Sequence, residues 1–444
     1  MNPIKVAICK YERGQDVVKQ AVEKADAFAD LPKNAKVIIK PNIVVWLDAP
    51  YPKYGVVTTS AVVEETVELL RAYGIDDIAI AEGSLQVDPQ GQHIGAKSFE
   101  GLGYNKLKRR YGVKLWDVWE RPFQKVEVAA GIRLRVNEDL MTADYLVNLP
   151  VLKTHAQVKV SLGLKNLKGF LDVASRKKCH RADTEKDLEF MIARLTKLLP
   201  PSATIIDGIY TLERGPSIDG APRRSDIVIA SSNVLAADMI GAEVLGYDPA
   251  DIRYLMQACQ MAGFTTDGSG IEVVGKKVKD VAASHQYAFP YNQDGTLPRT
   301  FEKMGIQGLK FHKFDSTVCT YCSPLIGMLL TIIAMSYKGK PFDDVEFLCG
   351  KRRKPSDDMK KSILVGQCMC QLNKDHAGPQ EIVEISGCPP KPKEAAEALR
   401  GIGIEIPPSV LTDFDTAAGF FMERFKGQTE FDDSFFTIFY GGGE

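Results

Sequence analysis

Cys319 and Cys322 form a Cys-x-x-Cys pair, and Cys349, Cys368, Cys370 and Cys388 follow in the same stretch of chain. That spacing lets two thiolates reach one metal centre. Four thiolates make either a [4Fe–4S] cluster site or a structural zinc site. Two features favour the cluster. Cys388 is followed by Pro389 and Pro390, like the Cys-Pro that closes ferredoxin motifs, and the runs beginning at Leu325 and Ser362 are apolar, which shields a cluster. Zinc sites more often carry two such pairs, whereas here there is one pair and the other cysteines are dispersed. The expected ligands are Cys319, Cys322, Cys368 and Cys388. Gly366 permits close backbone approach just before Cys368, and Cys349 and Cys370 compete for that place. Of the chain's nine cysteines, Cys9 and Cys259 read as small buried hydrophobes. Cys179, in the basic run SRKKCHR, reads as an incidental surface residue or as a thiol activated by its neighbours.

A second group of residues points to anion chemistry. The stretch LVNLPVLKTHAQVKVSLGLKNLKGFL gathers Lys153, Thr154, His155, Lys165, Asn166 and Lys168 near an apolar strand end, and Arg176, Lys177, Lys178, His180 and Arg181 follow. The net charge is −1, so no global field draws nucleic acid or an anionic membrane, and anion binding must rest on local clusters. Lys40, Asn42, Lys165, Asn166 and Asp207 are the expected binding residues. Lys153, His155 and Glu82 are the expected catalytic ones, with His155 the general acid–base because its ordinary pKa lies near neutrality. Pro41 disfavours helical geometry at Lys40, which directs that side chain into a strand-end cleft. Each has a plainer alternative: a surface lysine, a turn asparagine, a capping carboxylate, a structural histidine. Asp207 with Glu82 or Asp238 can also hold Mg²⁺ through oxygen ligands, although Asp238 reads equally as a helix-surface residue. No Walker loop, dinucleotide fingerprint or nucleophile elbow occurs.

These residues need a scaffold. The 444 residues, 45% hydrophobic and 25% charged, predict a folded protein of two or three domains that needs no disulfide staples. The N-terminal stretch has no signal-peptide pattern, and the apolar run from Leu325 is too short to span a bilayer. A cytoplasmic setting follows, in which thiols stay reduced and clustered cysteines serve metal or redox chemistry. Strand-like and helix-like segments alternate from Lys5 to about Ile271, which predicts an α/β fold: a mainly parallel sheet with helices on both faces. Its working residues should sit in loops at the carboxyl ends of strands. The expected division is an α/β domain over 1–284, a connector over 285–317, a smaller cysteine-rich α+β domain over 318–402, and a docking tail over 403–444. That tail carries Phe414, Phe420, Phe421, Phe425, Phe431, Phe435, Phe436, Phe439 and Tyr440, too many aromatics for a disordered segment. It is expected to pack on its own chain or on a second subunit, making a homodimer.

Over roughly the first 280 residues the chain resembles the prokaryotic family catalogued as domain of unknown function 362. The resemblance rests on VIIKPNIV with Lys40, Pro41 and Asn42, on AEGS from Ala81, on LPVLKTH with LKNLKG, on IIDGIYTLERGP with Asp207 and Glu213, and on NVLAADMIGAEVLGYDP with Asn233 and Asp238. It implies the α/β fold and an association with iron–sulfur motifs, though many members carry a ferredoxin-like cysteine repeat that is dispersed here. The expected function is an oxidoreductase of anaerobic metabolism that passes single electrons from a [4Fe–4S] cluster to a small anionic molecule, with a ferredoxin-like partner. A lyase or isomerase with a structural or Lewis-acid cluster, and an electron-carrier or binding module, are the alternatives.

Overall fold

A computed structural model describes residues 3–47, 50–85, 95–404, 419 and 421–438. The chain forms two compact units. One comprises Met1–Arg176, Glu189–Ala288 and Met422–Glu444, and the other comprises Lys177–Leu188 and Phe289–Phe421.

The first unit is built on strands β1 (Ile4–Lys10), β2 (Val37–Pro41), β3 (Ile78–Glu82), β4 (Lys114–Asp117), β5 (Phe123–Ala129), β6 (Ile132–Asn137), β7 (Tyr145–Leu149), β8 (Val151–His155), β9 (Lys159–Ser161), β10 (Ser202–Glu213), β11 (Ala221–Ser231) and β12 (Ile271–Gly275). β5 and β6 pair with each other, and the rest form a ten-stranded sheet in the order β12-β1-β11-β10-β7-β2-β3-β4, with β8 on β10 and β9 on β8. The run from β10 through β7, β2 and β3 to β4 is parallel throughout, and the antiparallel pairs are β1–β11, β10–β11 and β8–β9. The mainly parallel sheet read from the sequence is therefore present. β2, β3 and β7 are buried at every position, the pattern of strands covered on both faces.

The helix Ser60–Ala72 starts where Thr59 caps it, the Thr59 side chain accepting from the Val62 N–H, and it buries Val63, Val67 and Leu70. The helix Val234–Val244 is capped by Asn233, which accepts from the N–H groups of Leu235 and Ala236. This second helix is apolar on nearly all sides, and it buries Asp238 completely. The helix-surface reading of Asp238 is thus corrected: its Oδ1 accepts from the Gly163 N–H at 2.7 Å and its Oδ2 from the Leu164 N–H at 2.9 Å. It anchors the segment that carries Lys165 and Asn166.

In the tail, Tyr54 meets Phe431 at 5.0 Å and Phe425 at 5.4 Å between ring centroids, and Tyr210 stacks on Phe436 at 5.9 Å. Phe414, Phe420, Phe439 and Tyr440 lie outside the described residues.

The second unit holds β13 (Leu309–Phe311), β14 (Val345–Cys349), β15 (Lys361–Val365) and β16 (Glu381–Ile385), all parallel and in sequential order. The apolar run from Leu325 lies in the helix Ser323–Ser336, and its Ile326, Leu329 and Ile333 pack in one core with Phe311, Phe347 and Ile363. The stretch 285–317, which has no period in the sequence, contributes β13 and the helix Arg299–Lys303. Elements of three and five residues are too short for a period to register. Among the described residues no helix is long and apolar enough to cross a membrane.

Burial pushes Asp238 up from an ordinary 3.8 to about 7. Between these values the folded protein keeps a proton that the unfolded chain has released, so stability falls as pH rises through that window. Unfolding midpoints of the native protein and of Asp238→Asn, compared from pH 4 to pH 7, should show the native protein losing stability relative to the variant. Parallel profiles would exclude the buried protonated carboxyl.

Candidate functional site

Five residues predicted from sequence, Lys40, Asn42, Glu82, Lys153 and Asn166, meet beside the carboxyl ends of β2 and β3 and the middle of β8. Lys40, next to last in β2, has no exposed surface, and a buried ammonium needs full pairing. Its Nζ lies 2.8 Å from Glu82 Oε2 and donates to the Pro41 carbonyl at 2.8 Å. Glu82, the last residue of β3, also accepts from the N–H groups of Ile43 and Gly83, each at 2.7 Å. The Phe170 ring centroid lies 5.6 Å from the Lys40 ammonium. A methyl group on Gly169 would sit 2.5 Å from Lys40 Cε and 2.8 Å from Glu82 Oε1, so the LKG turn closes over this pair because residue 169 lacks a Cβ. The sequence directs Lys40 toward an open cleft; the structure gives its ammonium to Glu82.

Lys153, in the middle of β8, is 1% exposed. Its Nζ donates to Asn42 Oδ1 and, at 2.8 Å, to the Val56 carbonyl. Asn42 Nδ2 in turn donates to Asn166 Oδ1 at 3.2 Å, and Asn166 Nδ2 donates to Asn148 Oδ1 at 2.8 Å. Burial lowers Lys153 from 10.5 to about 7, opposed by Glu82 and assisted by Lys40. The side chain is therefore an amine poised between its two protonation states near neutral pH, a property suited to proton transfer or to meeting an anion.

The other predicted residues take separate places. His155 ends β8 at 7% exposure, and its Nδ1 accepts from the Gln157 N–H at 3.2 Å. Lys165 is half-buried in the helix Gly163–Asn166. Asp207 is buried on β10, where it accepts from the N–H groups of Thr59 and Ile209 at 2.7 and 3.0 Å, and burial raises its pKa. The basic run after Phe170 is divided between the units. Arg176 donates to the Gly169 and Leu171 carbonyls in the first unit, whereas Lys177 to Arg181 belong to the second. Cys179 is fully buried, which overturns its reading as a surface residue.

Sequence reasoning missed two residues of this nest. Asn148 interrupts an otherwise apolar strand, a signal available in the sequence. Tyr104 gave none: its hydroxyl is buried without a hydrogen-bond partner among the described residues, and burial, Glu82 and Asp207 all push its pKa well up.

The second unit collects thiols by the same topology. Cys368 follows β15 after the turn at Gly366, Cys388 follows β16, and the Cys319–Cys322 pair precedes the helix Ser323–Ser336. Cys319 and Cys322 hydrogen-bond each other, which holds Cys319 below the ordinary thiol range and pushes Cys322 above it. Cys368 and Cys388 act electrostatically on Cys322, and Cys319 and Cys388 act on Cys368, so the four sulfurs share one neighbourhood. Gly366 has φ +89°, and a Cβ there would lie 3.0 Å from Cys322 Sγ. The competitors turn elsewhere. Cys349 is buried beside Asp315 and Arg353, and burial pushes it up to about 12. Cys370 Sγ faces the Leu364 carbonyl at 3.7 Å and packs with Leu348 and Met369. Among the described residues no three His, Cys, Asp or Glu side chains are gathered tightly enough to hold a single metal ion.

Two outcomes follow for the lysine nest. Glu82→Gln leaves Lys40 buried without its counter-charge, and unfolding should cost about 3–5 kcal/mol less than in the native protein. Between pH 7 and pH 10 the unfolded chain holds a proton on residue 153 that the folded protein has released, so stability should rise with pH relative to Lys153→Met. Denaturant titrations across that range test both the direction and the residue; equal slopes would exclude the lowered lysine.

Residues 37–243 match the model of a family described as a domain of unknown function (DUF362). Over 121 residues the chain is 34% identical to the thylakoid-associated protein sll1697 of Synechocystis sp.. That alignment covers 27% of this chain and 38% of the relative, so the chain spans well under half of that protein's length. Two solved structures overlap loosely. A protein from Thermotoga maritima has 13% identity and a TM-score of 0.28 over 57% of this chain and 60% of its own. The lactate racemase apoprotein from Thermoanaerobacterium thermosaccharolyticum has 15% identity and a TM-score of 0.33 over 55% and 57%. Such overlaps bear on no activity. The family match takes in Lys40, Glu82, Lys153 and Asp238, includes the Lys177–Leu188 piece of the second unit, and ends before its Phe289–Phe421 piece. The likeness to the family described as a domain of unknown function (DUF362) is carried by residues 37–243.

Proposed function

We propose that this chain is an iron–sulfur oxidoreductase in which Cys319, Cys322, Cys368 and Cys388 hold a [4Fe–4S] cluster, and the buried lysine nest of the DUF362 domain serves a small anionic molecule. The observation that carries the reading is the convergence of four thiols from three separate segments, with Cys349 buried and Cys370 turned to the Leu364 carbonyl. The donor set fits: four thiolates are what such a cluster needs, and Gly366 leaves room beside Cys322 that any side chain would fill. When bound, the cluster supplies a one-electron couple.

In this reading the chain's own residues divide the remaining work. Lys153 meets the anion's charge, and Asn42 and Asn166 orient its amine. His155 moves a proton at its imidazole, and Lys165 adds a cation at the helix after β9. Glu82 holds Lys40 in place and keeps the nest from carrying two uncompensated charges. A divalent cation on Asp207 is a further part of the proposal, as are a small ferredoxin-like electron donor and an anaerobic cytoplasmic setting.

Protein purified without oxygen tests the cluster. Iron and acid-labile sulfide should each approach about four per chain. Cys319→Ser and Cys388→Ser should lose most of both, while Cys349→Ser and Cys370→Ser keep them. Colourless protein that carries zinc, or iron that survives in Cys388→Ser but is lost in Cys349→Ser, would overturn the assignment.

A further inference from the structure

The basic run SRKKCHR was read from sequence as part of an anion-binding cleft, and the lysine nest does not use its second half. The chain leaves the first unit at Arg176 and returns to it at Glu189. The intervening residues are built into the second unit by backbone contacts. His180 Nδ1 meets the Ser316 carbonyl at 2.9 Å, Arg352 donates to the carbonyls of Ala182 and Asp183 at 3.0 and 3.1 Å, and Lys351 Nζ donates to the His180 carbonyl. Such anchoring fixes the first residue of the excursion, Lys177. Its ammonium hydrogen-bonds the Cys388 sulfur and lies 4.7 Å from the centroid of the Tyr321 ring, inside the Cys-x-x-Cys pair. The ring holds the cation by its π face while leaving the N–H groups to the sulfur.

We infer that Lys177 is a positioning residue whose cation and hydrogen bond on Cys388 raise the reduction potential of the proposed cluster. The inference rests on the cluster reading above. Reduction adds one electron, and with it one negative charge, to a group already ringed by four thiolates. A cation on a ligand sulfur stabilises the reduced form more than the oxidised one, and hydrogen bonds to cluster sulfurs and local net charge are recognised levers on potential. Lys351 acts on Cys319 and Cys368 through its charge, but its ammonium is spent on a carbonyl. Among these lysines it is Lys177 that touches a ligand sulfur.

The experiment is a dithionite titration of the native protein, Lys177→Met and Lys177→Arg, followed by electron paramagnetic resonance, with iron and sulfide measured on each sample. Lys177→Met should keep its iron and sulfide and become at least tenfold harder to reduce, a shift of about −59 mV for one electron. Lys177→Arg, which retains the cation, should stay close to the native midpoint. If Lys177→Met does not load, Lys177→Gln keeps a neutral donor to Cys388 and should give a smaller negative shift. An unchanged midpoint in a fully loaded neutral variant overturns the role of Lys177 and leaves the cluster standing. A native protein without iron overturns both, and the iron assay separates the two failures.

Discussion

The first unit depends on the cost of burying positive charge. Lys40, next to last in β2, and Lys153, in the middle of β8, both sit almost wholly out of water. An ammonium there is tolerated only with a counter-charge and a full set of acceptors. Glu82, the Pro41 and Val56 carbonyls and the Asn42–Asn166–Asn148 chain meet that demand. Local features of the sequence follow from it. β2 ends in Lys-Pro-Asn so that one cation and one amide emerge together, and β3 ends in a carboxylate at the neighbouring strand end. Gly169 stands where the covering turn would otherwise strike Lys40. Asp238 fixes that turn's origin by capping the N–H groups of Gly163 and Leu164 from a helix buried on nearly all sides.

The second unit solves a different problem with the same geometry. Parallel strands in sequential order deliver successive loops to one edge of the sheet. Cysteines placed just beyond β15 and β16 therefore arrive near each other although 20 positions separate Cys368 from Cys388. Cys349, the last residue of β14, is buried in the core of the unit. Cys370 differs from Cys368 by its phase on the helix. Two residues beyond Cys368 in the helix Gln367–Leu372, its side chain points to a different side, into the Leu348 and Met369 cluster.

These contrasts explain what the sequence discloses. Polar residues at the ends of apolar runs stand out, so Lys40, Glu82, Lys153 and Asp207 were legible one by one. Their pairing was not, because Lys40 and Glu82 meet across β2 and β3, and strand order is not encoded by any local period. Gly366 could be read as a close approach, and the structure supplies the atom approached, Cys322 Sγ. Asp238 read as a surface residue although its helix, with Glu243 as its one other charged residue, lacks a continuous polar face, and such a nearly apolar helix is itself the signature of burial. Tyr104 comes from a helix distant in sequence and carries no pattern at all. The unity of the basic run was an illusion of adjacency: a change of unit between Arg176 and Lys177 is invisible in a string of cations.

The nest also sets a charge condition that bears on how it works. It holds two buried lysines and one glutamate in direct contact with only one of them. One carboxylate cannot balance two ammonium groups; burial lowers both Lys40 and Lys153, and the direct partners of Lys153 are a neutral amide and a carbonyl. Burial, with a smaller push from the Lys40 charge, lowers Lys153 to about 7, so the amine releases its proton near neutral pH. An entering monoanion reverses this, because its charge makes the ammonium form of Lys153 the cheaper one. On the proposed reading, in which Lys153 meets an anion, binding of the anion and uptake of a proton would be a single event at one amine.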